Sequence, residues 1–153
     1  MRELIEELKV AMLVTERDGE LRSRPMHTTE VEEDGTVYFF TSNDSGKVEE
    51  IEEDRFVNLA YSNPDKQNYL SISGNASIVN SERKIAELWN PVLKAWYPDG
   101  LETPKLRLIK VVPNRAEYWE SSGNSLVQMF NIGKALIKGE RYKAGVHEEV
   151  VLD

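Results

Sequence analysis

The chain contains no cysteine, which excludes disulfides, thiolate metal sites and cysteine nucleophiles together. Histidine is nearly as scarce. The two present, His27 and His147, stand far apart without a carboxylate at ligand spacing, so a metal site has weak support and a hydrolase triad weaker support still. His27 reads as a simple strand histidine and His147 as a solvated surface residue. Positive charge is the third shortage: 19 Lys+Arg face 27 Asp+Glu, for a formal net charge of -8. Such a chain is repelled by phosphodiester backbones and anionic membranes, so nucleic acid is not an expected partner. Long apolar runs are missing too. "VAMLV" is far shorter than the roughly eighteen residues of a membrane span, and "MRELIEELKV" lacks the hydrophobic core of a secretory signal. A soluble, cytoplasmic protein is the expectation, folded as one domain over residues 1–153. Two phosphate signatures fail as well. "SGK" at Ser45 to Lys47 has Thr41 where a phosphate loop needs glycine and Val48 where it needs Ser or Thr, and no G-x-G-x-x-G follows a strand.

What is present alternates in the manner of strands. Residues 2–9 carry Leu4, Ile5 and Leu8 on one side of a short amphipathic helix. "KVAMLVTER", "LRSRPMHTTEV" and "TVYFFTS" follow as strands joined at "RDGE" and "EEDG", where Asp-Gly between β-rich runs predicts tight turns. "SGKVEEIEED" is helical, "RFVNLAYS" and "NYLSISGNASIV" are strands about the turn "NPDKQ", and Gly74 marks a bulge or bend. A helix opens at a Ser81 cap, carries Ile85, Leu88, Trp89, Val92 and Leu93 at helical spacing, and must break or kink at Pro91. "KLRLIKVVP" and "NRAEYWES" complete the β set, before a late helix "NSLVQMFNIGKALI" and a polar tail. Six or seven strands in meander order, with helices inserted between them, predict a mainly β fold, an antiparallel barrel or sandwich with peripheral helices.

Against this acidic background a few cations stand out. Arg22 and Arg24, two apart on a strand, share one face and repel each other, so something negative belongs beside them, either a surface carboxylate or a bound anion. Lys47 falls in the first turn of a helix, where the macrodipole disfavours a cation and favours an anion. A phosphate there would draw on the helix amides, the Thr41 and Ser42 hydroxyls and the Lys47 ammonium. A solvated lysine beside Glu50, one turn on, accounts for it equally. Pro25 cannot donate to a ladder, which places its strand at an edge or at a bulge. The acidic runs "EEIEED" and "EVEED" read as solvated faces.

Taken in order, "RSRPM", "VYFFTS" with the downstream "SGK", "NLAYSNPDKQNYLSISGNASIV" and "LWNPVLKAWYPDG" resemble the FMN-binding split barrels related to pyridoxamine 5′-phosphate oxidase, in their general stress protein branch. The resemblance implies a six-stranded antiparallel split barrel and a homodimer that binds FMN at the subunit interface. It further implies that Arg24, Pro25 and Met26 flank the isoalloxazine, that Thr41, Ser42 and Lys47 hold the phosphate, and that Gln67 reaches the flavin from the partner subunit. Trp96, in the family's W-[FY]-P segment, would wall the site or serve as a core or interface aromatic. The chain departs from the family at "LETP", a local loop, and at its end, "YKAGVHEEVVLD", which lacks the C-terminal Arg and His segment of true pyridoxamine phosphate oxidases. The implied activity is a flavin-dependent oxidoreductase acting on an unidentified small molecule, with no catalytic acid or base to name. A flavin-binding carrier without turnover is the alternative, and a deazaflavin or haem in the same barrel is a third.

Overall fold

In the computed structural model the described residues are 1–120 and 146–151. Three α-helices, α1 (Arg2–Leu8), α2 (Gly46–Glu53) and α3 (Glu82–Leu88), accompany eight strands. The strands are β1 (Val10–Arg17), β2 (Glu20–His27), β3 (Glu30–Val31), β4 (Val37–Ser42), β5 (Phe56–Asn63), β6 (Asn68–Val79), β7 (Leu106–Glu120) and β8 (Val146–Val151). All pairings are antiparallel, in the order β2-β1-β5-β6-β7-β4-β3, with β8 paired to β7 beyond the end of β4. The two ends of that order are joined by the chain itself, because β2 runs through Thr28 and Thr29 into β3. Thr28 N–H donates to the Lys9 carbonyl at 2.7 Å and Thr29 N–H to the Tyr38 carbonyl at 2.9 Å. The result is a split barrel, of which the two-residue β3 and the appended β8 are the minor strands.

The turns behave as their residues require. Asp18 and Gly19 both adopt positive φ and link Arg17 to Glu20 directly opposite each other, the geometry of a two-residue hairpin. Gly74 sits where the β6–β7 register jumps from Ser73/Arg115 to Gly74/Pro113, leaving Asn114 as the extra residue. A Cβ on Gly74 would lie 2.4 Å from the Val112 carbonyl oxygen, so only glycine lets the two backbones approach this closely. This bulge absorbs Pro113. The segments "KLRLIKVVP" and "NRAEYWES", expected as two pieces, therefore form one bent fifteen-residue strand.

Ala11 and Leu13 from β1, Phe39 from β4, Leu59 from β5, Ile72 from β6 and Ile109 from β7 fill the barrel. A helix closes each end. α1 precedes β1 and inserts Ile5, while α2 lies against the far end of β1 and β6 and inserts Ile51. A second cluster, with Phe40, Leu93 and Leu108, lies outside the barrel, where α3 and the 3₁₀ turn Pro91–Ala95 cover β4 and the start of β7. Ser81 caps α3 by accepting from Lys84 N–H, and the helix stops before Pro91, as expected. Asn90 then caps the 3₁₀ turn by accepting from Val92 N–H at 3.0 Å.

One expectation for the C-terminal region is corrected. The polar tail contains a strand, β8, which pairs with the outer half of β7. His147 stacks on Trp119 with ring centroids 5.0 Å apart, and Tyr118 Oη donates to Glu148 Oε2 at 2.7 Å. Cross-strand contacts of this kind hold a strand whose valines do not alternate with its polar residues. The late helix expected over residues 124–137 lies outside the described residues.

Candidate functional site

Alternation along β2 decides where the arginines point. Met26 is buried in the barrel core, and Arg22 and Arg24 share its face, so both guanidinium groups lie over the barrel interior at the end that α2 closes. There they meet Glu50. Its carboxylate, only 2% exposed, takes Arg24 Nη2 on Oε2 at 2.6 Å and Arg22 Nη1 on Oε1 at 3.0 Å. Thr15 ties the group together: its hydroxyl donates to Glu50 Oε2 at 2.5 Å and accepts from Arg24 Nη1 at 2.6 Å. Burial pushes the Glu50 carboxyl up, but the Thr15 hydroxyl, Arg24 and Arg22 outweigh it and leave the carboxyl below its ordinary value. Of the two counter-charges open to the arginine pair, the structure supplies a carboxylate, and a buried one.

Lys47 is treated differently. It lies one turn before Glu50 on α2 and is half-buried, yet among the described residues it forms no ion pair. Burial drives its ammonium pKa down, the Arg24 charge adds to that, and Glu50 offsets only part. Three cations, Arg22, Arg24 and Lys47, thus face one carboxylate, leaving two positive charges over. The start of α2 adds donors. Ser45 is its N-cap residue but does not cap it with its side chain; the hydroxyl lies 3.1 Å from that of buried Thr41. The first-turn amides therefore lack a side-chain acceptor and, with the helix dipole, favour an anion. Of the two β4 hydroxyls, that of Ser42 donates to Asp44 and that of Thr41 lies against the N-cap Ser45.

The remaining expected residues do not gather at this end. Pro25 is exposed on the outer face of β2, a terminal strand in the order, and pairs with Met12 in an unshifted register, so the edge position holds and there is no bulge. Met26 turns its side chain into the core and can offer only backbone outward. Gln67, at positive φ, lies in the β5–β6 turn beside Lys66, which binds Glu7 of α1, and so belongs to the opposite end of the barrel. Trp96 is also at the α1 end. It is 60% exposed, 6.1 Å from the His27 ring, and walls a groove of about 370 Å³ with Lys9, Thr29, Asn90 and Val92.

Sequence reasoning missed two members of the polar cluster, Thr15 and Glu50 as the arginine partner. A signal for Thr15 existed, since it occupies an inward position after Ala11 and Leu13, where a polar residue needs a partner.

Comparison with known proteins gives a consistent placement. A family model described as "Pyridoxamine 5'-phosphate oxidase like" matches residues 1–143. Protein bli-3 of Neurospora crassa is 30% identical over 143 residues, covering 86% of this chain and 68% of that protein. General stress protein 26 of Bacillus subtilis is 29% identical over 114 residues, covering 72% of this chain and 79% of the relative. Among solved structures, the general stress FMN/FAD binding protein of Xanthomonas citri is 29% identical and superposes with a TM-score of 0.68, covering 79% of this chain and 86% of that one. With the split barrel and the order of its motifs, these matches establish that the chain belongs to the pyridoxamine 5′-phosphate oxidase-like family.

Proposed function

We propose that the protein is an FMN-binding flavoprotein, a homodimer with flavin at the subunit interface, that works as an oxidoreductase on a small molecule. The observation that carries this reading is the excess of positive charge in the cluster of Arg22, Arg24, Lys47 and Glu50, with Lys47 half-buried and unpaired among the described residues. A phosphomonoester carries about -1.5 to -2 charges near neutral pH, which matches the two positive charges left over there. The residues fit the group. Lys47, the first-turn amides of α2 and the Thr41 hydroxyl would hold the phosphate, and Arg24 would stand between the phosphate and the ring. From there β2 leads through Pro25 and Met26 toward Trp96, giving an elongated ligand a track along one strand.

FMN would supply hydride and electron transfer. The protein's part is to orient the ring with β2 backbone and to place a cation near it. Placement of Gln67 and Lys47 at opposite ends of one barrel suits a site completed by a second copy. So does the outer face of β2, β1 and β5. It is uncovered by any described helix, carries Leu21 at 75% and Phe56 at 69% exposure, and its central positions, Met12, Val14, Ser23, Pro25, Asn58 and Ala60, are all uncharged in a chain that is 30% charged.

The absorbance spectrum of freshly purified protein tests the reading. Two flavin bands in the near ultraviolet and blue, or their appearance as added FMN is retained through gel filtration, are expected. Protein that stays colourless and retains no FMN sinks it. Anaerobic mixing of the yellow protein with NADH or NADPH then separates an oxidoreductase, which bleaches, from a carrier, which stays yellow.

A further inference from the structure

We propose that Glu50 is a built-in competitor for the anion at the α2 end, a carboxylate that occupies Arg22 and Arg24 in the ligand-free chain and thereby lowers the affinity of that end for an anionic ligand. This rests on the reading that an anion binds there, and extends it to a residue outside the expected binding set.

The geometry supports a competitor more than a structural ion pair alone. Both carboxylate oxygens are used, one on each arginine, and Thr15 fixes the one shared with Arg24. Arg24 is 22% exposed and Arg22 50%, so both guanidinium groups remain within reach of a ligand, while Glu50 itself is sealed off from solvent at 2%. A ligand phosphate cannot displace Glu50 into water; it has to share the arginines with it. Lys47, one turn earlier on the same side of α2, is the cation Glu50 leaves free. With Glu50 ionised, the cluster retains two positive charges and suits a dianionic monoester. Without it, the cluster would hold three and bind any anion more tightly. Glu50 in this account lowers affinity for every anion, and for a dianion more than for a monoanion.

Glu50→Gln keeps the shape and the hydrogen bond with Thr15 while removing the charge. Isothermal titration with inorganic phosphate and with chloride as the monoanion, on the purified full chain, reads the effect. The variant is expected to bind phosphate at least about tenfold more tightly than the parent, tenfold being the effect per unit of ligand charge at ~6 Å under an effective dielectric constant of ~40. Chloride, the less charged anion, should gain less than phosphate. Arg22→Gln, which removes a half-exposed cation and leaves Glu50 held by Arg24 and Thr15, should weaken phosphate by a similar factor, and the double variant should return close to the parent. It also keeps the test decisive if Glu50→Gln fails to fold, because phosphate binding that is unchanged in Arg22→Gln overturns the proposal. So does phosphate binding that is unchanged or weaker in Glu50→Gln, the result a purely structural ion pair gives. Titration with FMN and riboflavin in the same samples separates the two readings. If no flavin binds while phosphate responds as described, the cofactor assignment fails and the role of Glu50 stands; if FMN binds and Glu50→Gln leaves its affinity unchanged, the reverse holds.

Discussion

The two ends of the barrel are closed by helices of similar length but opposite chemistry. At one end α1 inserts Ile5, fully buried and flanked by Leu4 and Leu8, and the buried polar groups near it, the hydroxyls of Tyr61, Thr29 and Thr36, are all uncharged. At the other, α2 inserts Ile51 beside Glu50, and the carboxylate draws in Thr15, Arg24 and Arg22. An apolar plug needs only a good fit to be stable. A polar plug stays stable only while all its members are satisfied, and it leaves charges over that can be used on something else. The α1 end therefore serves stability alone, whereas the α2 end serves both stability and ligand chemistry, and substitutions at each end should separate the two.

The largest loss is expected from Glu50→Ala. Removing one partner of a buried ion pair leaves the other uncompensated, which typically costs about 3–5 kcal/mol; here Arg24 would be left beside Lys47, a like charge. Urea unfolding should show this loss, and phosphate in the buffer should recover part of it, since an anion can take the place of the missing carboxylate. Ile5→Ala comes next, at about 2–4 kcal/mol for a truncated core residue. Its signature is the contrast: phosphate should recover none of its loss beyond what it adds to the parent. Equal recovery in both variants would erase the distinction between the ends.

Acid should act on the α2 end through Glu50. The Glu50 carboxyl is held below its ordinary value of 4.5, so its contribution is fully present above that pH and is lost as pH falls through the lower, folded-state value. The effect is smaller than deletion, because a protonated Glu50 can still hydrogen-bond to Thr15. Unfolding free energy measured from pH 6 downward should fall less steeply in Glu50→Gln than in the parent below about 4.5; identical slopes would mean that Glu50 is not among the groups driving acid unfolding.

The contrast between the ends also explains what could be read from the sequence. The α1 end and the barrel wall were legible because they rest on local rules. Apolar alternation placed the strands, Asp18-Gly19 fixed a hairpin, and Ser81 and Pro91 fixed the limits of α3. Gly74 announced the bulge, but its consequence, one strand continuing through Pro113, depends on a partner forty residues away and was not visible. The α2 end was half legible. The arginine pair demanded a negative partner, and Lys47 stood where a helix disfavours a cation. Glu50 as that partner required knowing that α2 folds back across the end of β1, which no spacing within "SGKVEEIEED" reveals. Likewise β8 has almost no apolar pattern, and only its pairing with β7 makes it a strand.

Lys47→Met is expected to have the smallest effect on stability and to sharpen the comparison most. Lys47 gives no ion pair to the folded chain among the described residues, and both its burial and the neighbouring Arg24 charge disfavour its ammonium. Replacing it with an apolar side chain of similar length removes that repulsion and keeps the packing, so stability should change by no more than about 0.5 kcal/mol, as at sites away from any special feature, or rise. Affinity for FMN should nevertheless fall by about tenfold or more, as expected when a charged hydrogen bond to phosphate is lost. Riboflavin, which has no phosphate, should bind the variant and the parent alike. A residue that contributes nothing to the fold and yet governs the phosphate-bearing ligand alone would mark the α2 end as a site held ready for an anion. A Lys47→Met protein that is destabilised by more than 1 kcal/mol, or that loses FMN and riboflavin equally, would instead make Lys47 part of the plug and remove the difference between the two ends.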